Sequence, residues 1–185
     1  MINHFKYLLI IIFSSFSFAT TLYVATTGSD DTGDGTEINP FATIQKGIDS
    51  ASDGDTVLVS TGTYVENINY NGKNIAVFGE NRETTIIDGN QNGTVVRFAG
   101  GQTSSAVLKN LSITNGLAMN TAEAGGIHCS NNSSPILSHL NIYDNEGSNA
   151  GGVMINDGAA PLIEHTLIYQ NYCLFLCLLL IYFYF

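Results

Sequence analysis

Few side chains in this 185-residue chain could carry chemistry, and their types limit what that chemistry is. Removing a proton beside a sugar carboxylate needs a base, often Lys or Arg, and a cation that neutralises the carboxylate. Arg82, Arg97 and Lys109 are the cations to consider, with Asp88, Glu123 and Asp144 as acids. Lys109, Arg97 and Asp144 are therefore the catalytic candidates, although no local motif joins them. Hydrolysis of a glycosidic bond needs two carboxylates at a defined separation. No spacing in the sequence sets one.

Metal-ligating types are similarly sparse. Gly28-Ser29-Asp30-Asp31-Thr32-Gly33-Asp34-Gly35 offers Asp30, Asp31 and Asp34 as candidate oxygen ligands for calcium. The spacing is not that of a helix-loop-helix calcium site, because no Glu follows at the closing position, and a solvated acidic turn is the competing reading. His139 and His165 lie 26 residues apart. Two ligands are too few for a zinc site, and repetition of a structural unit explains the pair. Calcium at the acidic loop is the one ion the sequence leaves open, and no other cofactor is implied. Cys129 aligns with Ile155 and reads as a small buried residue. Cys173-x-x-x-Cys177 could form a bridge or bind a metal, but the pair falls in an anomalous tail and carries no weight. Asn-x-Ser/Thr sequons at Asn92, Asn110, Asn131 and Asn132 matter only in a glycosylating host.

The elements that must position these groups come from a repeat. Gly125-Gly126-Ile127, Ser134-Pro135-Ile136-Leu137 and Leu140–Asn145 recur as Gly151-Gly152-Val153, Ala160-Pro161-Leu162-Ile163 and Thr166–Asn171, always 26 residues on. A fixed period of this size marks a solenoid. Each copy holds three short apolar runs bounded by Gly, Asn, Ser and Pro, which are too short for helices and suit strands. Three strands and three turns make one rung of a parallel β-helix, with equivalent residues stacked about 4.8 Å apart. Ile142 over Ile168 should face inward and Tyr143 over Tyr169 outward. Asn145 over Asn171 should form a turn ladder, and the Gly pairs suit corners with φ > 0. A weaker copy, Ala106–Asn115, aligns with Pro135–Asp144 at an offset of 29. It places Leu111, Leu140 and Thr166 in one inward stack and Lys109, Ser138 and Glu164 in one column.

The remaining chain supports this arrangement. Residues 1–19 read as a secretory signal: Lys6, the apolar run Tyr7–Phe13, then Ser17-Phe18-Ala19. A membrane anchor is the competing reading, but the apolar run is short for a span. Residues 20–171 form the β-helix domain, with a cap over 20–55 and about five or six rungs over 56–171. Thr21–Ala25 is a strand. Asn39–Ala51 is a helix, capped by Asn39 with Pro40 at its first position, whose apolar face should cover the open end of the stack. Short strands follow at Thr56–Val59, Thr63–Glu66, Asn74–Phe78, Thr84–Ile87 and Thr94–Phe98. Residues 172–185 are apolar and lack turn residues. They read as a lost reading frame or truncation, with an apolar end-plug or anchor as the alternative. The net charge of −10 excludes a nucleic-acid partner by composition.

Tyr23-Val24-Ala25, Gly28-Ser29-Asp30, Asn39–Gln45, Gly54–Val57 and Gly62-Thr63-Tyr64 together resemble the N-terminal part of secreted right-handed parallel β-helix proteins of the pectin-lyase-like superfold. The 125–135 segment resembles repeats of bacterial surface β-helix proteins and polymorphic outer-membrane adhesins. The resemblance covers roughly 22–171 and implies an all-β right-handed parallel β-helix, secreted or at a cell surface. It leaves activity open, because that superfold includes polysaccharide lyases, hydrolases, epimerases and non-catalytic members. The expectation is a non-catalytic module that contacts polysaccharides, cell-surface glycans or other surface partners, as the N-terminal part of a longer protein. A polysaccharide-active lyase, epimerase or hydrolase is the alternative.

Overall fold

The computed structural model describes residues 19–120 and 122–174. The expected leader apart from Ala19, and the tail beyond Leu174 with Cys177, lie outside the described residues. The chain begins with β1 (Thr21–Val24) and α1 (Ile44–Ser50). It then climbs in rungs: β2 (Thr56–Val59), β3 (Gly62–Val65) and β4 (Ile68–Asn69); β5 (Ala76–Gly79), β6 (Thr85–Asp88) and β7 (Val96–Phe98). Next come β8 (Val107–Lys109), β9 (Ser112–Thr114), β10 (Leu117–Ala118) and β11 (Ile127–Cys129). They are followed by β12 (Ile136–Ser138), β13 (Asn141–Tyr143), β14 (Glu146–Gly147) and β15 (Val153–Ile155). The last described rung holds β16 (Leu162–Glu164), β17 (Leu167–Tyr169) and β18 (Tyr172–Cys173).

These strands form four sheets running along the molecule: β1-β2-β5-β8-β12-β16, β3-β6-β9-β13-β17, β4-β7-β11-β15 and β10-β14-β18. Every named strand pair is parallel, and the fold is a parallel β-helix. The later rungs carry a fourth strand in addition to the three expected. Leu117–Ala118, Glu146–Gly147 and Tyr172–Cys173 are two-residue strands, too short to show an apolar period. Tyr172 and Cys173 pair with Glu146 and Gly147, so the ladder runs two residues past the expected boundary at 171.

Alternation decides what is buried. Val57, Val77, Leu108 and Leu137 stack inward from the first sheet, and Tyr64, Ile87, Ile113 and Ile142 from the second, all at 4% exposure or less. Burying each such side chain contributes about 1.5–3 kcal/mol. Stacking requires a neighbour on both sides, and Ile168 at the end of the described stack is 49% exposed where Ile142 one rung below is 0%.

The helix starts later than expected. Its N-cap is Thr43, whose hydroxyl accepts from Lys46 N, and Asn39 and Pro40 lie outside it. Phe41 is held extended by a bridge to Val24, donating from its N–H to Tyr23 O and accepting from Ala25 N. Ile44, Gly47 and Ile48 face the first rung, so the helix does cover that end. A Cβ on Gly47 would come within 2.8 Å of Val57 and 3.0 Å of Val24, a closeness only glycine permits.

The Gly pairs also differ from expectation. Gly125, Gly126, Gly151 and Gly152 are not among the positive-φ residues; the corner positions are taken by Asn110, His139 and His165, and by Asn115, Asp144 and Gln170. The pairs are required for close approach instead. A Cβ on Gly126 would stand 2.4 Å from Gly152 O, and one on Gly125 would stand 2.3 Å from Glu146 O.

Candidate functional site

The three catalytic candidates lie on different faces. Lys109 is on β8 in the first sheet, Arg97 on β7 in the third, and Asp144 is an exposed αL corner residue after β13. Arg97 is already occupied. Its guanidinium holds Glu123 bidentately, at 2.6 and 2.9 Å, and this pairing keeps the Glu123 carboxyl below its usual range. His128, which also favours the Glu123 carboxylate, is buried, with Nε2 3.1 Å from Asn156 Oδ1. Sequence reasoning missed His128, which has no counterpart in the repeat because Met154 takes the equivalent place. Arg82 pairs with Glu83 at 2.8 Å. The Asp88 carboxylate accepts from Asn90 N and the Asn115 amide, both at 2.8 Å.

The three acidic-loop residues do not converge. Asp30 Oδ1 accepts from Ala42 N at 2.8 Å and Thr43 N at 3.1 Å, and Oδ2 accepts the Thr43 hydroxyl at 2.7 Å. Burial opposes ionisation of Asp30, but these bonds outweigh it and hold its pKa below the usual value. Asp34 closes a local turn by accepting from Thr36 N and Oγ1, and Asp31 is exposed. Among the described residues no group of three or more His, Cys, Asp or Glu is disposed to hold a metal. Glu66 completes the helix cap, accepting from Ile44 N and Gln45 N. Burial raises its pKa, although both N–H bonds oppose that. The Cys129 thiol is pushed up to about 12 by burial, as suits a core residue.

The expected column of Lys109, Ser138 and Glu164 exists, and it is longer than expected. In register across the first sheet run Tyr23, Leu58, Phe78, Lys109, Ser138 and Glu164. All six alternate with the core-facing residues of these strands; Tyr23, Leu58, Phe78 and Lys109 are half-buried, Glu164 is exposed and Ser138 is buried under its neighbours. The parallel outward column holds Thr56, Ala76, Val107, Ile136 and Leu162. One face of the first sheet thus carries an aromatic and aliphatic strip running into a polar end. Ser138 Oγ lies 2.7 Å from His139 Nδ1 and donates to Glu164 Oε1 at 3.1 Å. The His139 and His165 ring centroids lie 4.7 Å apart with the planes tilted by 36°.

Lys109 differs from the other described cations. Lys73 Nζ caps α1 by donating to the carbonyls of Ile48, Asp49 and Ala51, and Lys46 lies 5.8 Å above the Phe41 ring. Arg82 and Arg97 hold carboxylates. No hydrogen bond, ion pair or ring contact engages the Lys109 ammonium among the described residues. It stands between Phe78 and Ser138, available to a ligand.

The second sheet adds a smaller outward aromatic pair. Tyr143 and Tyr169 stack with centroids 5.3 Å apart and planes 13° from parallel.

No protein-family model and no curated protein matches the chain. Two solved structures are similar. One is a rhamnogalacturonan lyase, 16% identical with a TM-score of 0.47, matched over 80% of this chain and 51% of that one. The other is a GH136 lacto-N-biosidase from Eubacterium ramulus, 18% identical with a TM-score of 0.43, matched over 78% of this chain and 30% of that one. The chain therefore spans about half of the first structure's length and under a third of the second's.

Proposed function

We propose that this chain is a non-catalytic β-helix module, working outside the cell or at its surface, that holds a glycan along the outer face of its first sheet. The observation that carries this reading is the in-register column Tyr23-Leu58-Phe78-Lys109-Ser138. Sugars offer apolar C–H faces and hydroxyl rims. A surface with half-buried aromatic anchors and a few polar groups answers both. Rungs about 4.8 Å apart give a rigid, regularly spaced platform. The occupied state of Arg97 and the structural use of Asp30 and Glu66 favour binding over catalysis, since these charges already serve the fold.

The test is calorimetric titration of the full chain against a panel of neutral and charged oligosaccharides. Phe78→Ala should weaken the best ligand about tenfold, the equivalent of roughly 1.4 kcal/mol. Absence of binding across the panel would overturn the reading, as would binding that Phe78→Ala and Lys109→Ala both leave unchanged.

One geometry favours a polysaccharide-active alternative: the Ser138 hydroxyl held between His139 and Glu164 beside Lys109. Incubation with pectate, alginate and related polymers decides it. New ultraviolet absorbance from unsaturated ends would indicate a lyase, and new reducing ends without it a hydrolase.

A further inference from the structure

We infer that the pocket at the N-terminal end of this face binds a protonated amine, carried by an amino sugar with a free ammonium group. The pocket has a volume of about 250 Å3 and is lined by Tyr23, Glu37, Pro40, Leu58, Ser60 and Glu80, among others. Tyr23 and Leu58 are also the first two members of the outward column, so the pocket opens onto the proposed binding face.

Its chemistry is that of a cation site. Two glutamates, one tyrosine and apolar residues line one space, and no lining residue is cationic. An ammonium is attracted to the face of a tyrosine ring, and carboxylates give it charge-assisted hydrogen bonds. Glu80 is positioned before any ligand arrives, because its Oε2 accepts from Thr61 N at 3.0 Å, leaving Oε1 for a ligand. Glu37 follows a turn held by Asp34: Thr36 donates to Asp34 Oδ1 from its N–H and from its hydroxyl, and Asn39 N donates to Thr36 O. Among the described residues no hydrogen bond or ion pair engages the Glu37 carboxylate. The apolar walls suit the sugar ring that carries the amine. The chain's net charge of −10 raises the local concentration of cations and works against polyanions. N-acetylation would remove the charge and leave both carboxylates without a counter-ion. This inference rests on the reading that the face meets glycans, and it adds the charge of the sugar.

The experiment titrates the full chain with a glucosamine tetramer and with its fully N-acetylated counterpart, at low and high salt. The free-amine form should bind at least about tenfold tighter at low salt, and the advantage should shrink as salt screens the exposed carboxylates. Glu37→Gln with Glu80→Gln should abolish the preference while Oε1 of each glutamine can still accept a hydrogen bond. The wild-type comparison of amine against acetylated ligand stands without any variant. Equal affinity for the two tetramers, or a preference that salt and both substitutions leave intact, overturns the inference while leaving the glycan face standing. No binding of either tetramer while another glycan binds overturns the inference alone, and no binding by any glycan of the panel, neutral or charged, overturns both.

Discussion

Replacing Asn145 with alanine should cost much more than the same change one rung later. Asn145 is fully buried. Its amide nitrogen donates to Ile113 O at 3.0 Å, Tyr143 O at 2.9 Å and Asn171 Oδ1 at 3.0 Å, and its Oδ1 accepts from Gly116 N at 2.9 Å. Alanine would strand the buried Gly116 N–H and at least one acceptor. Each orphaned buried group costs about 1–3 kcal/mol, so the loss should be roughly 3 kcal/mol. For a domain of this size that corresponds to a fall in Tm of roughly 6–12 °C. Asn171 makes the equivalent donor bonds, to Ile142 O at 2.8 Å and Tyr169 O at 3.0 Å, and its Oδ1 accepts from Asn145 N at 3.1 Å and Asn145 Nδ2 at 3.0 Å, but it lies at the half-exposed end of the described stack. Water can replace the two donor bonds there, so the principal loss is the acceptor of Asn145 N–H, and Asn171→Ala should cost about 1 kcal/mol. Thermal melting by circular dichroism gives the first readout and amide hydrogen exchange at Gly116 the second. The reasoning fails if Asn145→Ala melts within about 2 °C of wild type, or no lower than Asn171→Ala.

The same gradient should appear in the core: Ile142→Ala should cost about 2–5 kcal/mol by denaturant unfolding. Ile168→Ala, at 49% exposure, should cost under about 1 kcal/mol. Asp30 has a folded pKa held below its unfolded value, so its contribution is present above the unfolded pKa and lost as pH falls through the folded one. The cost of Asp30→Ala, about 1 kcal/mol near neutral pH, should therefore shrink in urea titrations on strong acidification; a cost that does not vary with pH contradicts the assignment. Cys129, with its thiol pushed up to about 12, should resist thiol reagents at pH ~8 in the native chain and react once unfolded. Mass mapping separates it from Cys173 and Cys177, and prompt native labelling at Cys129 would count against its core position.

The 26-residue offset made the later rungs legible: Ile142 pairs with Ile168, Tyr143 with Tyr169 and Ser138 with Glu164, as equal turn lengths require. Upstream the turns differ in length, and successive members of the outward column are 35, 20, 31, 29 and 26 residues apart. No fixed period joins Tyr23, Leu58 and Phe78 to Lys109, so only register in space reveals the aromatic half of the face. Propensity placed a helix near residue 44, but not its start. The Phe41 bridge to Val24 and the Asp30 cap are tertiary contacts, and they override the helix-start signal of Asn39-Pro40. The Gly pairs were recognisable as special, yet their cause is backbone approach between rungs and not φ, which needs neighbouring rungs to be seen.

The most direct test of the binding face is hydrogen-exchange or NMR footprinting of the full chain with the best ligand from the glycan panel. The account predicts that protection or shift changes concentrate on β1, β2, β5 and β8, around Tyr23, Leu58, Phe78 and Lys109, with the second and third sheets unchanged. Changes confined to the Tyr143–Tyr169 face or to the Arg97–Glu123 cluster would contradict it and move the site to another side of the helix.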